Sequence, residues 1–489
     1  MPRLLISLLV VAGMALAAPA AMAGQADDLH REMDSLRQQM QAMQQGYEAR
    51  LQQMQQKLEA LEAKPAIAAP AAAPSRESLA KLASQGAAAP APEGASAWSR
   101  AVQKLNPDLS VILDTFYYNN DTNEDSAHLL SGIKGFGDVH NHGDGGHSHE
   151  GAKKGFNLRH VELQFSAQVD PYFKGWATVA VDDDATELEE AVIQTTALPY
   201  GLKLQAGKFF SGLGRLNSQH SHEWDFVDQP LNYRLLLGDH NLLDKGVQAS
   251  WLAPLPFHLL FGVEAFQGDN ESSFQYLGED LPEKDGPRLW VGWLKYAPNL
   301  GGRHGLQLGA SLAYGVHQEA HDGDGDGVND HFLDGHSTLY GLDAVYKYKG
   351  GGAHGQGDVV VQGEYLYRRK DLDLYRHDLL PELAGNDRRD EQDGFYLQGV
   401  YGFLPRWRAG LRWDQVGLIN EGHSPTGAAY DYDASSRYSA MLDFSPTEFS
   451  RIRVQASRGN FALDDGDQDF WEFFVQLQVS LGTHGAHKF

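Results

Sequence analysis

The stretch that decides the fold is Asp469-Phe470-Trp471-Glu472-Phe473-Phe474-Val475-Gln476-Leu477-Gln478-Val479-Ser480-Leu481. Trp471, Phe473, Val475, Leu477, Val479 and Leu481 alternate with Glu472, Phe474, Gln476, Gln478 and Ser480. Successive side chains of a strand point to opposite faces, so a period of two marks a strand with one apolar and one polar face. Residues 306–317 repeat the pattern, as do residues 160–169. Reading outward from these predicts sixteen strands: 109–118, 156–169, 173–182, 187–198, 201–210, 245–252, 257–267, 288–297, 305–317, 338–349, 357–369, 393–403, 407–416, 436–444, 449–459 and 469–481. A membrane-crossing strand needs roughly 9–11 residues, which most of these supply.

A soluble sandwich would also alternate, and the connections decide between the two. Short ones carry turn residues, such as Asp170-Pro171, Pro199-Tyr200-Gly201, Pro254-Leu255-Pro256, Leu404-Pro405 and Ser445-Pro446. Long ones are expected at 119–155, 211–244, 268–287, 318–337, 370–392 and 417–435, with a single short outer link near Asp183–Thr186. Long and short links in turn describe an up-and-down barrel with different compartments at its rims. The expectation is an all-β, transmembrane antiparallel β-barrel of about 16 strands spanning 105–489, in the outer membrane of a Gram-negative bacterium. Aromatic residues near strand ends suit interfacial girdles, and the chain ends in Phe489, a familiar feature of such barrels.

Upstream, the period is different. Residues 1–23 read as a signal peptide: Arg3, an apolar run from Leu4 to Ala18, then Ala21-Met22-Ala23. An uncleaved anchor is the alternative reading. Within 24–63, Leu29, Met33, Leu36, Met40, Met43, Tyr47, Leu51, Met54, Leu58 and Leu61 form a heptad seam with one stutter at Tyr47. That predicts a periplasmic coiled-coil helix and an oligomer; a lone amphipathic helix on the barrel or on lipid is the other possibility. Residues 64–104 are an Ala/Pro-rich linker, too punctuated by proline to build a core.

Composition sets limits on function. The chain of 489 residues carries a formal charge of −25, no cysteine, 53 glycines and 20 tyrosines. Mean hydropathy is −0.42, which excludes a helical membrane protein. Without cysteine there is no disulfide or thiolate metal site. So acidic a chain is not built for nucleic acid, which requires clustered Lys and Arg. It carries no Gly-x-Ser-x-Gly, no His-Glu-x-x-His and no phosphate loop, so an enzyme is not expected.

The segment Leu204-Gln205-Ala206-Gly207-Lys208-Phe209-Phe210-Ser211-Gly212-Leu213-Gly214-Arg215 resembles the strand-to-loop transition of the phosphate-selective porin O/P family. The resemblance implies a trimeric sixteen-stranded barrel, hence a homotrimer set among outer-membrane lipid and lipopolysaccharide that passes small ions. The anion-selective members line the pore with Arg and Lys. Here expected pore-lining residues are of both signs: Lys203, Lys347, Arg408, Arg412 and Arg453 against Glu162 and Asp343. The His-rich loops, with His220-Ser221-His222-Glu223-Trp224 in the third, resemble a subgroup associated with zinc-responsive genes.

The outer loops hold the candidate chemistry. Loops 119–155, 211–244, 268–287 and 318–337 contain 23 acids against six basic residues, which draws cations to the mouth. The first loop offers His140, His142, His147 and His149 in two His-x-His pairs, fit for zinc, nickel or copper. A solvated low-complexity loop is the plainer reading. The fifth loop places Asp322, Asp324 and Asp326 as the start of a calcium loop, but Leu333 stands where its final Glu would be. His321 and His331 beside them favour a transition metal. The third loop is long and apolar; folded into the lumen it would bring His220 and His222 to the constriction, whereas packing on a neighbouring subunit would not. No cofactor is required, and Zn2+ or Ca2+ is the ion these loops would hold. The expected function is a diffusion channel whose acidic, His-rich loops gather divalent metal, zinc first. The alternatives are an anion porin, or a surface protein that binds divalent ions without transport.

Overall fold

The computed structural model describes residues 108–136, 151–183, 185–270, 272–278, 280–321, 329–463 and 466–482. The signal peptide (1–23), the coiled coil (24–63), the linker (64–104), His140, His142, His147, His149, Asp322, Asp324, Asp326 and Phe489 lie outside the described residues.

The strands follow the chain as β1 (Asp108–Asn120), β2 (Gly155–Gln168), β3 (Phe173–Val181), β4 (Thr186–Thr195), β5 (Leu202–Phe210), β6 (Leu243–Leu252), β7 (His258–Phe266), β8 (Leu289–Ala297) and β9 (His304–His321). They continue as β10 (His331–Tyr348), β11 (Val359–His377), β12 (Asp387–Leu404), β13 (Trp407–His423), β14 (Ala429–Asp431), β15 (Ser435–Thr447), β16 (Ser450–Leu463) and β17 (Gly466–Gly482). Each pairs antiparallel with its neighbour, and β1 pairs with β17 (Leu113 opposite Val479), which closes the sheet. Three-residue β14 is only an appendage of β13, so the wall is a closed barrel of sixteen strands.

Polarity along the wall is the reverse of a soluble protein. In β17 Trp471 and Phe473 are 45% and 48% exposed, while Glu472 and Gln476 are 3% and 1% exposed. The same inversion holds around the barrel, with Val263, Trp290, Leu312, Leu342, Leu411 and Val454 outside. Water would penalise such a wall; a hydrocarbon surrounding would not. Closure also leaves no unpaired edge.

The sequence-based loop boundaries need correction on one side of the molecule. The expected loops 318–337, 370–392 and 417–435 are largely strand: β9 and β10 continue to His321 and from His331, β11 to His377, β12 from Asp387, and β13 to His423. These extensions carry ladders of charge, such as Lys370 opposite Asp390 and Asp371 opposite Arg389. Ion pairs break the apolar alternation that marks a lipid-facing strand, so the extensions did not read as strand. They form hairpins standing above the apolar wall.

Two of the loops that turn inward contain an α-helix. Loop 1 contains α1 (Ser126–Ser131), capped by the Asp125 carboxylate, which accepts from the His128 N–H at 3.0 Å. Leu129, Leu130, Ile133 and Phe136 of this loop are buried. Loop 3 contains α2 (Leu231–Leu237), begun by Pro230, whose φ is already fixed, and stopped by Gly238 at φ +84°. Both loops pack with inward residues of the wall, including Phe209, Leu289, Leu366 and Tyr396, in one apolar core. The principal core therefore lies inside the barrel, toward the long-loop rim.

Candidate functional site in the barrel lumen

The segment from Leu204 to Arg215 sends the chain off the wall. β5 ends at Phe210, and the Ser211 hydroxyl and Gly212 N–H both donate to the Glu264 carboxylate on β7. Gly214 has φ +58°, and a Cβ there would collide with the Tyr233 hydroxyl and the Glu364 carboxylate. Glu364 on β11 then accepts from the backbone N–H groups of Arg215 and Leu216 (2.6 and 2.8 Å) and from the hydroxyls of Tyr233 and Tyr396 (2.7 and 2.6 Å). A buried carboxylate with four donors fixes the bend, since removing it would strand those donors away from water.

Beyond the bend, loop 3 crosses the lumen on charged anchors. Asp228 meets Arg412 (2.8 Å) and Arg437 (2.7 Å), and Asp225 meets Arg408 (2.9 Å). Burial alone would raise the Asp228 carboxyl, but Arg412 and Arg437 outweigh it and hold it below the usual carboxylate range. Arg453 donates to the Trp224 carbonyl, and Arg451 and Gln478 both donate to the His222 carbonyl.

Residues 219–224 lie between two cavities. One, of about 340 Å³, opens toward the long-loop rim and is lined in part by Asp182, Glu187, Glu189, His160 and His220. The other, of about 370 Å³, lies toward the short-turn rim and includes His222, Arg215, Lys347, Arg408 and Arg451. Gln219 lines both, so the His220-Ser221-His222 turn is the partition. The two imidazoles stack at 5.6 Å between centroids.

The partition rests on acids of the wall. His222 Nδ1 is 3.0 Å from Glu162 Oε2 on β2, and His220 Nε2 is 3.1 Å from Glu190 Oε2 on β4. His220 Nδ1 faces Glu189 Oε2 at 3.4 Å and Glu162 Oε2 at 3.6 Å. Burial alone would push His220 down; Glu162, Glu189 and Glu190 outweigh it and hold its imidazolium well above the usual histidine range. Chemically, three carboxylates converge on one imidazole, an arrangement that favours a positive charge at this point of the partition.

Sequence reasoning named His220, His222 and Glu162, and the fold brings the three together. It missed Glu189 and Glu190, which sit in the strand Thr186–Thr195, where successive acids blur the alternation. Their adjacency to loop 3 depends on the inward fold of that loop, which no local pattern records. The other expected pore-lining residues are placed differently. Asp343 is buried against Lys295 at 2.7 Å, Arg412 is buried against Asp228 and Asp414, and Arg453 lies 3.5 Å from Asp443. These three are covered by loop 3 and serve it as anchors, because its apolar and charged side chains fill the space that an open pore would leave to water. Arg408 is tied to Asp225 and Asp443 but still borders the second cavity, as does Lys347. Lys203 is exposed near the short-turn end of β5.

The fifth-loop histidines join a row across three strands. His321, His331 and His377 stand opposite one another in the register of β9, β10 and β11. The His331 and His377 rings stack at 5.0 Å, and His321 Nε2 meets Glu319 Oε2 at 3.1 Å. Glu319 is also held by Lys370 and Arg388. The place of His377 in this row follows from strand register, which sequence spacing does not reveal.

A relative from Aquifex aeolicus (strain VF5), an uncharacterized protein, is 39% identical over 394 residues, covering 78% of this chain and 80% of the relative. The chain belongs to the family of that Aquifex protein. No protein-family model matches it. Among solved structures it is similar to the outer membrane channel DcaP of Acinetobacter baumannii (13% identity, 77% of this chain, 96% of that chain, TM-score 0.47). It is also similar to OmpT, an outer membrane protein of Vibrio cholerae, in its trimer form (11%, 77% and 99%, TM-score 0.46). A third is an anion-selective porin from Comamonas acidovorans (10%, 77% and 99%, TM-score 0.46).

Proposed function

We propose that the protein is an outer-membrane diffusion channel of the porin type, whose acidic, His-rich outer loops gather divalent metal, zinc first, for uptake. One observation carries this reading: a closed barrel with an apolar exterior holds, across its lumen, a loop that separates two cavities with an imidazole–carboxylate partition. An ion crossing the barrel by this route meets His220 and His222 with Glu162, Glu189 and Glu190. The acids of the outer loops raise the local cation concentration before it arrives there. In this reading His140, His142, His147 and His149 capture ions, as do His321 and His331 with Asp322, Asp324 and Asp326. The short-turn rim faces the periplasm, residues 24–63 form a coiled coil on that side, and the assembly is a homotrimer in lipopolysaccharide-bearing lipid. Membership in the phosphate-selective porin O/P family, suggested by Leu204–Arg215, belongs to the same proposal.

The second cavity gives the anion-porin alternative its support, since Arg215, Lys347, Arg408 and Arg451 border it. Arg408, however, is neutralised by Asp225 and Asp443. Liposomes loaded with a zinc-sensitive dye and carrying the full-length protein test the proposal. Zinc influx should exceed that of protein-free vesicles, and changing His140, His142, His147 and His149 together to Ala should slow it at low zinc. Influx no faster than in empty vesicles would overturn the channel reading.

A further inference from the structure

The distances around His220 Nδ1 are longer than an ordinary charge-assisted hydrogen bond and close to the spacing of ligands around one ion. A hydrogen bond to a carboxylate spans about 2.7–3.2 Å. His220 Nδ1 stands 3.4 Å from Glu189 Oε2 and 3.6 Å from Glu162 Oε2. Nitrogen and oxygen ligands about 2.1 Å from one tetrahedral ion lie roughly 3.4 Å apart, by the geometry of the tetrahedron. One donor atom each from Glu162, Glu189 and His220 falls within 4.8 Å of the other two.

The surroundings fit a metal as well as the ligands do. The far nitrogen of His220 meets Glu190 at 3.1 Å, and metal-bound imidazoles regularly donate their other N–H to a carboxylate. His222 Nδ1 steadies Glu162 at 3.0 Å. Glu162 is 1% exposed, yet its Oε1 has no hydrogen-bond partner. A buried carboxylate oxygen without a donor is costly unless a cation answers it.

We propose that Glu162, Glu189 and His220 form a site for one divalent transition ion, with Glu190 and His222 as positioning residues. Two carboxylates and one imidazole make three protein ligands, and the fourth position opens to the cavity bordered by Glu189 and His220. Imidazole in the set favours zinc and its neighbours over calcium or magnesium. Three ligands and an open position allow exchange with water, so an ion held here can move on. The part the site plays in passage rests on the channel reading above; its capacity to hold an ion does not.

The test is zinc binding to the full-length protein in detergent, by competition with a chromophoric chelator, in a background where His140, His142, His147, His149, His321 and His331 are Ala. One zinc should remain bound in that background. His220→Ala and Glu162→Gln should abolish it, and Glu190→Gln should weaken it roughly 10- to 100-fold. Cobalt in place of zinc should give the intense visible absorption of a four-coordinate ion, lost in His220→Ala. Heat-dependent gel mobility confirms that each variant keeps its barrel. Unchanged zinc affinity in both His220→Ala and Glu162→Gln, or a weak six-coordinate cobalt spectrum, would overturn the site. Zinc bound through His220 in a protein that does not conduct would leave the site standing and remove the channel. Conduction with zinc affinity indifferent to His220 would do the reverse.

Discussion

His220 concentrates the chemistry of the molecule in one ring. Glu162, Glu189 and Glu190 face it, and their charge favours its protonated form. Its folded pKa lies well above the ordinary histidine value. A base with a raised folded pKa contributes stability that is fully present below about 6.5, its unfolded value, and lost as pH rises through the folded one. In chelator-treated protein, the N–H groups of Glu223 and Trp224, which donate to the carbonyls of His220 and Ser221, should therefore lose exchange protection as pH rises above neutrality. His220→Gln should flatten that dependence. Hydrogen exchange corrected for its intrinsic pH dependence reads the effect, and protection constant across the same range in the native chain would contradict it.

At the scale of the element, loop 3 behaves as a built part and not as a connection. Its leucines enter the core inside the barrel, each fully buried one contributing about 1.5–3 kcal/mol. Its bend hangs on Glu364. Glu364→Ala leaves buried donors without an acceptor, at about 1–3 kcal/mol each. That change should free the loop while the sixteen-strand ladder holds, so unitary conductance should rise and become noisier. Gly214→Ala should act in the same direction by collision with Tyr233 and Glu364. Conductance and protease resistance of the loop equal to those of the unaltered chain would count against it.

The same element shows what the sequence could and could not convey. The sixteen strands were legible because lipid-facing alternation is local: Trp471, Phe473 and Val475 against Glu472 and Gln476 need no knowledge of the rest of the chain. The inward fold of loop 3 was half legible, since Leu231 and Leu235–Leu237 need burial somewhere. Which wall residues it meets was not, because Glu364, Asp414 and Arg437 are fixed by barrel closure. The hairpins above the wall were missed because ion pairs such as Lys370 with Glu319 and Arg389 with Asp371 tie strands together without an apolar face.

For the whole molecule, the wall closes its own hydrogen bonds through the β1–β17 pairing. Deleting residues 27–63, read as a coiled coil from their heptad seam, should weaken the oligomer yet leave a barrel that inserts. Cross-linking and heat-modified gel mobility check this, and failure of the deleted form to insert would make the segment part of the barrel fold. Charge acts at the same scale. In the proposed function the acids of the outer loops make a negative mouth, whose reach would shorten from about 10 Å at 0.1 M salt to about 3 Å at 1 M.

The most direct measurement of the central claim is the reversal potential of single channels in a planar bilayer under a salt gradient. A potential of the sign set by cation preference is expected, shrinking as the salt on both sides is raised toward 1 M. A strong anion preference, unchanged by salt, would contradict it.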